Sequence, residues 1–253
     1  SNPYPLGDLN FRNKINMKSM ESSATQLVNE YGWIWLWRNG EPSKLTVDVY
    51  KHYLGENSTT EERRELQAYW LQLETEWLRS NRHHAGVLSF CHLTNNYGYT
   101  GDWYINDIAD LEPGPTMDWF PHAFAPAAVF INLTDERYTK FTKPHAPGST
   151  LLVNLVGIND LQEEVSGTIK FKLLDNDGRE IHEKSMHITL PTDIRKVMPV
   201  SFDMPATPGG YLLVSEFTSK NSTHAQISRR FVKVGDANQE YTYYDLKPSI
   251  TIE

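Results

Sequence analysis

The chain has 253 residues, with 24 Lys and Arg against 32 Asp and Glu, a net charge of −8 and a pI near 5.6. That acidity argues against a nucleic-acid or anionic-membrane partner, and no apolar run approaches the ~18 residues that a membrane span needs. The single cysteine, Cys91, excludes an internal disulfide, while 39% hydrophobic residues and seven tryptophans can build the core of one large domain or two ordinary ones.

Residues 3 to 26, with Pro3, Pro5 and Gly7, read as a loop with one short helical turn around Lys14 to Ser22. Leu27-Val28 then reads as a short buried strand. It is followed by Glu30, by Gly32, and by Trp33, Trp35 and Trp37 at every second position. Alternate residues of a strand share a face, so the three indoles are expected to form one aromatic ladder. A carboxylate at a strand end, beside flat rings and Arg38, suits sugar chemistry. The acid supplies a nucleophile or a proton, and the rings stack on the apolar face of a pyranose. The same residues also fit an ordinary core with a solvated acid at its edge.

Leu45, Val49 and Leu54, with Tyr50 and Tyr53, predict a short amphipathic helix ended by Gly55. The clearest helix follows. Thr59 and Glu62 make a capping box, and Leu66, Tyr69, Trp70, Leu73 and Trp77 recur at helical spacing. Glu61, Arg64, Gln72, Thr75 and Arg79 mark its polar side. Glu74 and Glu76 are two apart and point in different directions, so they are read as solvent-facing or salt-bridged. His83-His84 closes the helix where positive charge suits the dipole. With no second cluster beside the histidines, no metal and no cofactor is expected.

Gly86 to Phe90 is a second short apolar strand, leading into His92, Asn95 and Asn96. Cys91 has no patterned histidine partner and is read as buried and inert. Gly101 to Tyr104 is a loop, and the proline-rich Glu112 to Pro126 an inter-domain connection. Beyond it helical spacing stops. Alternating runs appear at Val129–Leu133, Leu151–Leu155, Ile169–Leu173, Ile181–Leu190, Val197–Phe202, Tyr211–Phe217 and Ile227–Val234, separated by turn signals such as Asn176-Asp177-Gly178 and Pro208-Gly209-Gly210. This spacing predicts an immunoglobulin-like antiparallel β-sandwich.

Asn29-Glu30-Tyr31-Gly32-Trp33 resembles the end of the seventh barrel strand of glycoside hydrolase family 2, the β-galactosidase and β-glucuronidase family. The resemblance continues through Trp35-Leu36-Trp37-Arg38-Asn39-Gly40, the helix near Glu61 to Arg82, Gly86-Val87-Leu88-Ser89-Phe90 and Ala123-Phe124-Ala125-Pro126, about half the chain at motif level. It implies an α+β chain of two domains: a partial (β/α)8 TIM-barrel segment over 1–125, an immunoglobulin-like sandwich over 126–235, and a tail or linker over 236–253. It also implies Glu30 as the catalytic nucleophile. Sugar would be bound by Trp33, Trp35, Trp37, His92, Asn95 and Asn96, with Tyr4 and Asp8 near the cleft.

A whole barrel takes roughly 250 residues, and only about half the chain precedes the sandwich. Retaining glycosidases need a second carboxyl about 5 Å from the first. In the family that acid/base follows the fourth strand, upstream of this sequence. The resemblance therefore implies a C-terminal piece of a retaining exo-β-glycosidase, secreted or periplasmic in a bacterium, and inactive by itself. Its partners would be a carbohydrate substrate and, over the open barrel edge, either the missing part of the parent chain or a second copy. The alternatives from other classes are a non-catalytic carbohydrate-binding module and a degenerate barrel used as a scaffold.

Overall fold

The computed structural model describes residues 27–82, 84–95, 98–138, 143–220, 222 and 224–236. Tyr4, Asp8, Asn96 and residues 237–253 of the expected tail lie outside the described residues. The chain divides into two compact units between Pro121 and His122.

In the first unit, β1 (Leu27–Tyr31) and β2 (Gly86–Ser89) pair in parallel, Leu27 with Gly86, Val28 with Val87 and Tyr31 with Ser89. Parallel strands need a crossover, and α1 (Val47–Leu54) and α2 (Thr60–Ser80) supply it. No closed barrel is present among the described residues. α2 begins at the expected capping box: Glu62 N donates to Thr59 Oγ1 at 3.2 Å and Thr59 N to Glu62 Oε2 at 2.7 Å.

Two expectations fail in this unit. The polar side of α2 is solvated only in part: Glu61 is exposed and Arg64 and Arg79 half-buried, but Gln72, Thr75 and Glu76 are 0% exposed and Glu74 3%. Burying Gln72, Thr75 and Glu76 is affordable because their polar atoms find partners one turn away or across the fold. Gln72 Nε2 donates to Glu76 Oε1 at 3.2 Å, and Thr75 Oγ1 donates to Leu71 O and bonds the Tyr31 hydroxyl, both at 2.7 Å. Nor is the strand pair buried: Leu27 is 65% exposed and Leu88 61%. Among the described residues only two strands lie side by side, so one face meets α2 through Tyr31 and the other is left bare by them.

A short hairpin, β3 (Tyr104–Ile105) with β4 (Glu112–Pro113), leads into α3 (Pro115–Phe124). The proline-rich stretch read as a connection is thus largely helical. Pro115 takes the first helical position, where its missing N–H is lost to no bond. Buried Trp119 and Phe120 anchor the helix, Phe120 meeting the Trp103 ring edge-on at 4.5 Å. Thr116 Oγ1 ties it to Gln67 Oε1 of α2 at 3.1 Å.

Among the described residues the second unit is a sandwich of seven strands: β5 (Ala127–Asn132), β6 (Thr150–Asn159), β7 (Val165–Leu174), β8 (Glu180–Leu190), β9 (Lys196–Asp203), β10 (Gly209–Ser219) and β11 (Gln226–Val234). Their order is β5-β6-β9 in one sheet and β11-β10-β7-β8 in the other, every pair antiparallel. Alternation sends Val129, Ile131 and Leu155 from the first sheet, and Ile169, Phe171, Leu213 and Val232 from the second, into one core. Near the start of β10, the Tyr211 hydroxyl donates back to Thr207 O at 2.7 Å.

β5 is an edge strand, and side chains of β11 satisfy its edge. Val129 N donates to Gln226 Oε1 at 2.8 Å, Ile131 N to Ser228 Oγ at 3.0 Å, and Arg230 Nε to Leu133 O at 3.0 Å. The outer edge of β11 is covered in turn. Glu136 N donates to Phe231 O at 3.1 Å, Lys233 N to Glu136 Oε2 at 2.7 Å, and His145 N to Lys233 O at 2.8 Å. Unpaired edges invite aggregation, and these contacts occupy two of the four.

Candidate active site

The site is built where β1 and β2 end side by side. Glu30 is the penultimate residue of β1 and is exposed. Next to it Tyr31 is buried, and desolvation holds its phenol well above the ordinary range. At Gly32 the backbone turns to φ +78°, and a Cβ there would sit 2.4 Å from Leu71 Cδ2. Ile34 N closes the turn onto Gly32 O at 2.7 Å.

This turn overturns the aromatic ladder expected of Trp33, Trp35 and Trp37, because the period-2 rule ends with the strand. The three indoles go separate ways. Trp33 is 44% exposed and Trp35 is buried at 3%, although their rings still stack at 5.6 Å and 27°. Trp35 Nε1 donates to Phe90 O at 2.6 Å, and its ring meets Phe90 edge-on at 5.7 Å. Trp37 is half-buried, donates from Nε1 to Gly98 O at 3.0 Å, and lines a cleft of about 330 Å³ with Glu41, Lys44 and Arg63. Phe90, 37% exposed, continues the parallel ladder through its N–H to Tyr31 O at 2.9 Å. The exposed residues at the strand ends are therefore Glu30, Trp33 and Phe90.

The loops after the two strands are fastened together. Arg38 Nη2 meets Asp102 Oδ2 at 2.6 Å, and also donates to Thr94 O. Asp102 further accepts from Thr94 N and Tyr104 N, each at 3.1 Å. Gly101 makes the approach possible, since a Cβ there would lie 1.8 Å from Leu36 O. His92 is exposed, bonds the Tyr104 hydroxyl through Nε2 at 3.1 Å, and meets the Trp103 ring edge-on at 5.1 Å. Asn95 is exposed and accepts from Thr94 Oγ1 at 3.4 Å. Cys91 is half-buried rather than buried, its thiol on Gly101 O at 3.4 Å.

Sequence reasoning missed Phe90, Tyr104 and the Asp102 anchor. Phe90 closes an apolar run and gave no polar signal. The glycine before Asp102 was the available clue. Among the described residues no three His, Cys, Asp or Glu gather as a metal site, and no helix is long and apolar enough to cross a membrane.

The described chain defines an α+β fold rich in β-sandwich, with a parallel strand pair ahead of it. In fold it is similar to a β-D-mannosidase from Dictyoglomus thermophilum, with a TM-score of 0.50 and 17% identity over 72% of this chain and 21% of that one. A further solved structure, the exo-chitosanase CsxA D469A of Amycolatopsis orientalis with PNP-β-D-glucosamine, reaches a TM-score of 0.47 and 15% identity over 74% of this chain and 21% of that one. The chain thus spans about a fifth of either structure. No family model matches it, and no curated protein matches it in sequence.

Proposed function

We propose that this chain is the C-terminal part of a retaining exo-β-glycosidase of the family 2 type: the end of a (β/α)8 barrel over 1–125, an immunoglobulin-like sandwich over 126–235 and a tail from 236. The observation that carries this reading is the position of Glu30. It stands exposed at the C-terminal end of a parallel strand, beside exposed Trp33 and Phe90, and barrel enzymes carry their chemistry at that end of their strands. Glu30 attacks the anomeric carbon, Trp33 stacks on sugar, and the Arg38–Asp102 pair holds the surrounding loops. His92 and Asn95, on the loop after β2, rim the same pocket, and Asn96 is assigned to it by the family resemblance alone.

The acid/base comes from the missing part of the barrel, so the piece alone is inactive. Parallel sheets are ordinarily covered on both faces. The bare Leu27 and Leu88 are accordingly the face on which the upstream barrel strands, or a second copy, would close. The tyrosine–backbone bond at the start of β10 supports the immunoglobulin-like reading of the sandwich. Secretion or a periplasmic site in a bacterium fits a polymer-degrading role. The other reading, a non-catalytic carbohydrate-binding module, is favoured by one observation: among the described residues Glu30 has no bonded partner, whereas the rings beside it are exposed and ready to stack.

The test uses a longer chain that includes the upstream barrel. Glu30→Ala is expected to lose several orders of magnitude in rate, because the covalent intermediate no longer forms. Azide is expected to restore turnover with a glycosyl azide of inverted configuration. Retained configuration would make Glu30 the acid/base instead, and near-normal activity would leave the binding-module reading.

A further inference from the structure

At one end of the sandwich, between the β7–β8 turn and the start of β10, lies a cleft of about 430 Å³. Its rim is a hydrogen-bonded polar turn. Asp175 Oδ1 accepts from the backbone N–H of both Asp177 and Arg179 at 2.9 Å, and Gly178 N returns to Asp175 O at 3.0 Å. Both side-chain bonds land on one oxygen, so Asp175 Oδ2 has no partner among the described residues. Neither the Asn176 amide nor the Thr207 hydroxyl makes a bond there. Between them the floor is apolar: Ile181, Pro208 and the ring of Tyr211, whose hydroxyl is already spent on Thr207 O. The burial of Tyr211, with Asp175 nearby, pushes its phenol above the ordinary value, so the ring is neutral.

An acceptor, an amide and a hydroxyl around an apolar floor match one ligand chemistry well. A sugar ring offers donors and acceptors on neighbouring carbons and a C–H face between them. An anion is disfavoured by Asp175 and Asp177. A bare divalent cation takes six to eight oxygens, and no group of three metal-binding side chains gathers here among the described residues. We propose that this cleft is a carbohydrate-binding site for a neutral glycan, separate from the strand-end site of Glu30. It uses residues of the sandwich alone and stands whether or not Glu30 is a nucleophile.

The test titrates the chain as it is with β-1,4-linked hexasaccharides of mannose, glucose and N-acetylglucosamine, and separately with calcium chloride, following backbone amides by NMR and heats by calorimetry. At least one hexasaccharide is expected to shift the amides of Asn176, Gly209 and Gly210. Asn176→Ala and Thr207→Ala, both at exposed positions, are expected to weaken binding about tenfold each, the loss of one or two polar contacts. Ile194→Ser, in the exposed β8–β9 turn, is expected to leave it unchanged. The proposal is overturned if no hexasaccharide binds, if binding survives Asn176→Ala but is lost in Trp33→Ala, or if calcium alone moves the turn amides and sugar does not.

Discussion

Arg38 and Asp102 form an ion pair at 2.6 Å whose side chains are 4% and 1% exposed, joining the loop after one parallel strand to the loop after the other. The two partners are not equivalent. Asp102 also accepts two backbone N–H groups, from Thr94 and Tyr104. Asp102→Ala strands a buried guanidinium and both donors, and is expected to cost about 3–5 kcal/mol. Arg38→Met leaves the carboxylate its two donors and is expected to cost less, about 1–3 kcal/mol. Urea unfolding of the first unit measures both, and equal losses would show that the backbone bonds carry no weight.

Gly32 and Gly55 both hold positive φ, +78° and +85°, but only at Gly32 would a Cβ collide, 2.4 Å from Leu71 Cδ2. Gly55→Ala is expected to cost about 1–3 kcal/mol from backbone strain alone, since φ +85° with ψ 179° is open essentially only to glycine. Gly32→Ala should cost more, its own strain plus about 1–3 kcal/mol, because Leu71 must also shift in the packed α2 face. Chemical denaturation ranks the two. The reverse order would mean that the turn after Glu30 is not fixed by this packing.

His122 is buried, and desolvation, reinforced by the Arg229 cation, pulls its pKa from 6.5 to about 4. Its Nδ1 accepts from Ile227 N at 3.2 Å, a bond that only the unprotonated nitrogen can make. The folded state therefore binds the proton less readily than the unfolded state. The associated stability is whole above pH 6.5 and is lost as pH falls toward 4, up to roughly 3 kcal/mol in all. Denaturant titrations of wild type and His122→Gln across that window should diverge, the wild type losing more. Parallel curves would remove His122 from the acid response.

Ser228 Oγ accepts the Ile131 amide at the β5 edge. Ser228→Ala leaves that buried N–H without its partner, at a cost of about 1–3 kcal/mol. Hydrogen exchange is expected to quicken at Ile131 while Leu155, in the β5–β6 ladder opposite it, keeps its protection relative to global stability. A uniform change at both amides would mean that the side-chain bond is not what closes the edge.

The sandwich was largely legible in the sequence because its signal is local. Each strand alternates, and Asn176-Asp177-Gly178 punctuates the β7–β8 turn where expected. The strand-end site was legible only in part. Glu30, Trp33 and His92 were identified as candidates, but the shared face of the three tryptophans was an extrapolation across Gly32, where positive φ ends the strand. Proline masked α3, since Pro121 stands inside the helix. Of the two readings of Glu74 and Glu76, solvent-facing or salt-bridged, the solvent-facing one failed because helical spacing tells which residues share a face, not how many faces are covered. The Arg38–Asp102 pair spans 64 positions, and nothing in a single sequence marks a contact that distant.

The three bonds between β11 and the β5 edge all link residues 97 positions apart, Val129 with Gln226, Ile131 with Ser228 and Leu133 with Arg230. A constant offset means that the first strand of the sandwich is completed by the last. During synthesis β5 leaves the ribosome first and pairs early with β6, but its second edge waits until β11 has emerged. Contacts of such long range form late because the intervening loop must first be closed. The nascent sandwich therefore passes through a stage with an open, apolar strand edge, the stage at which a chaperone would have something to hold.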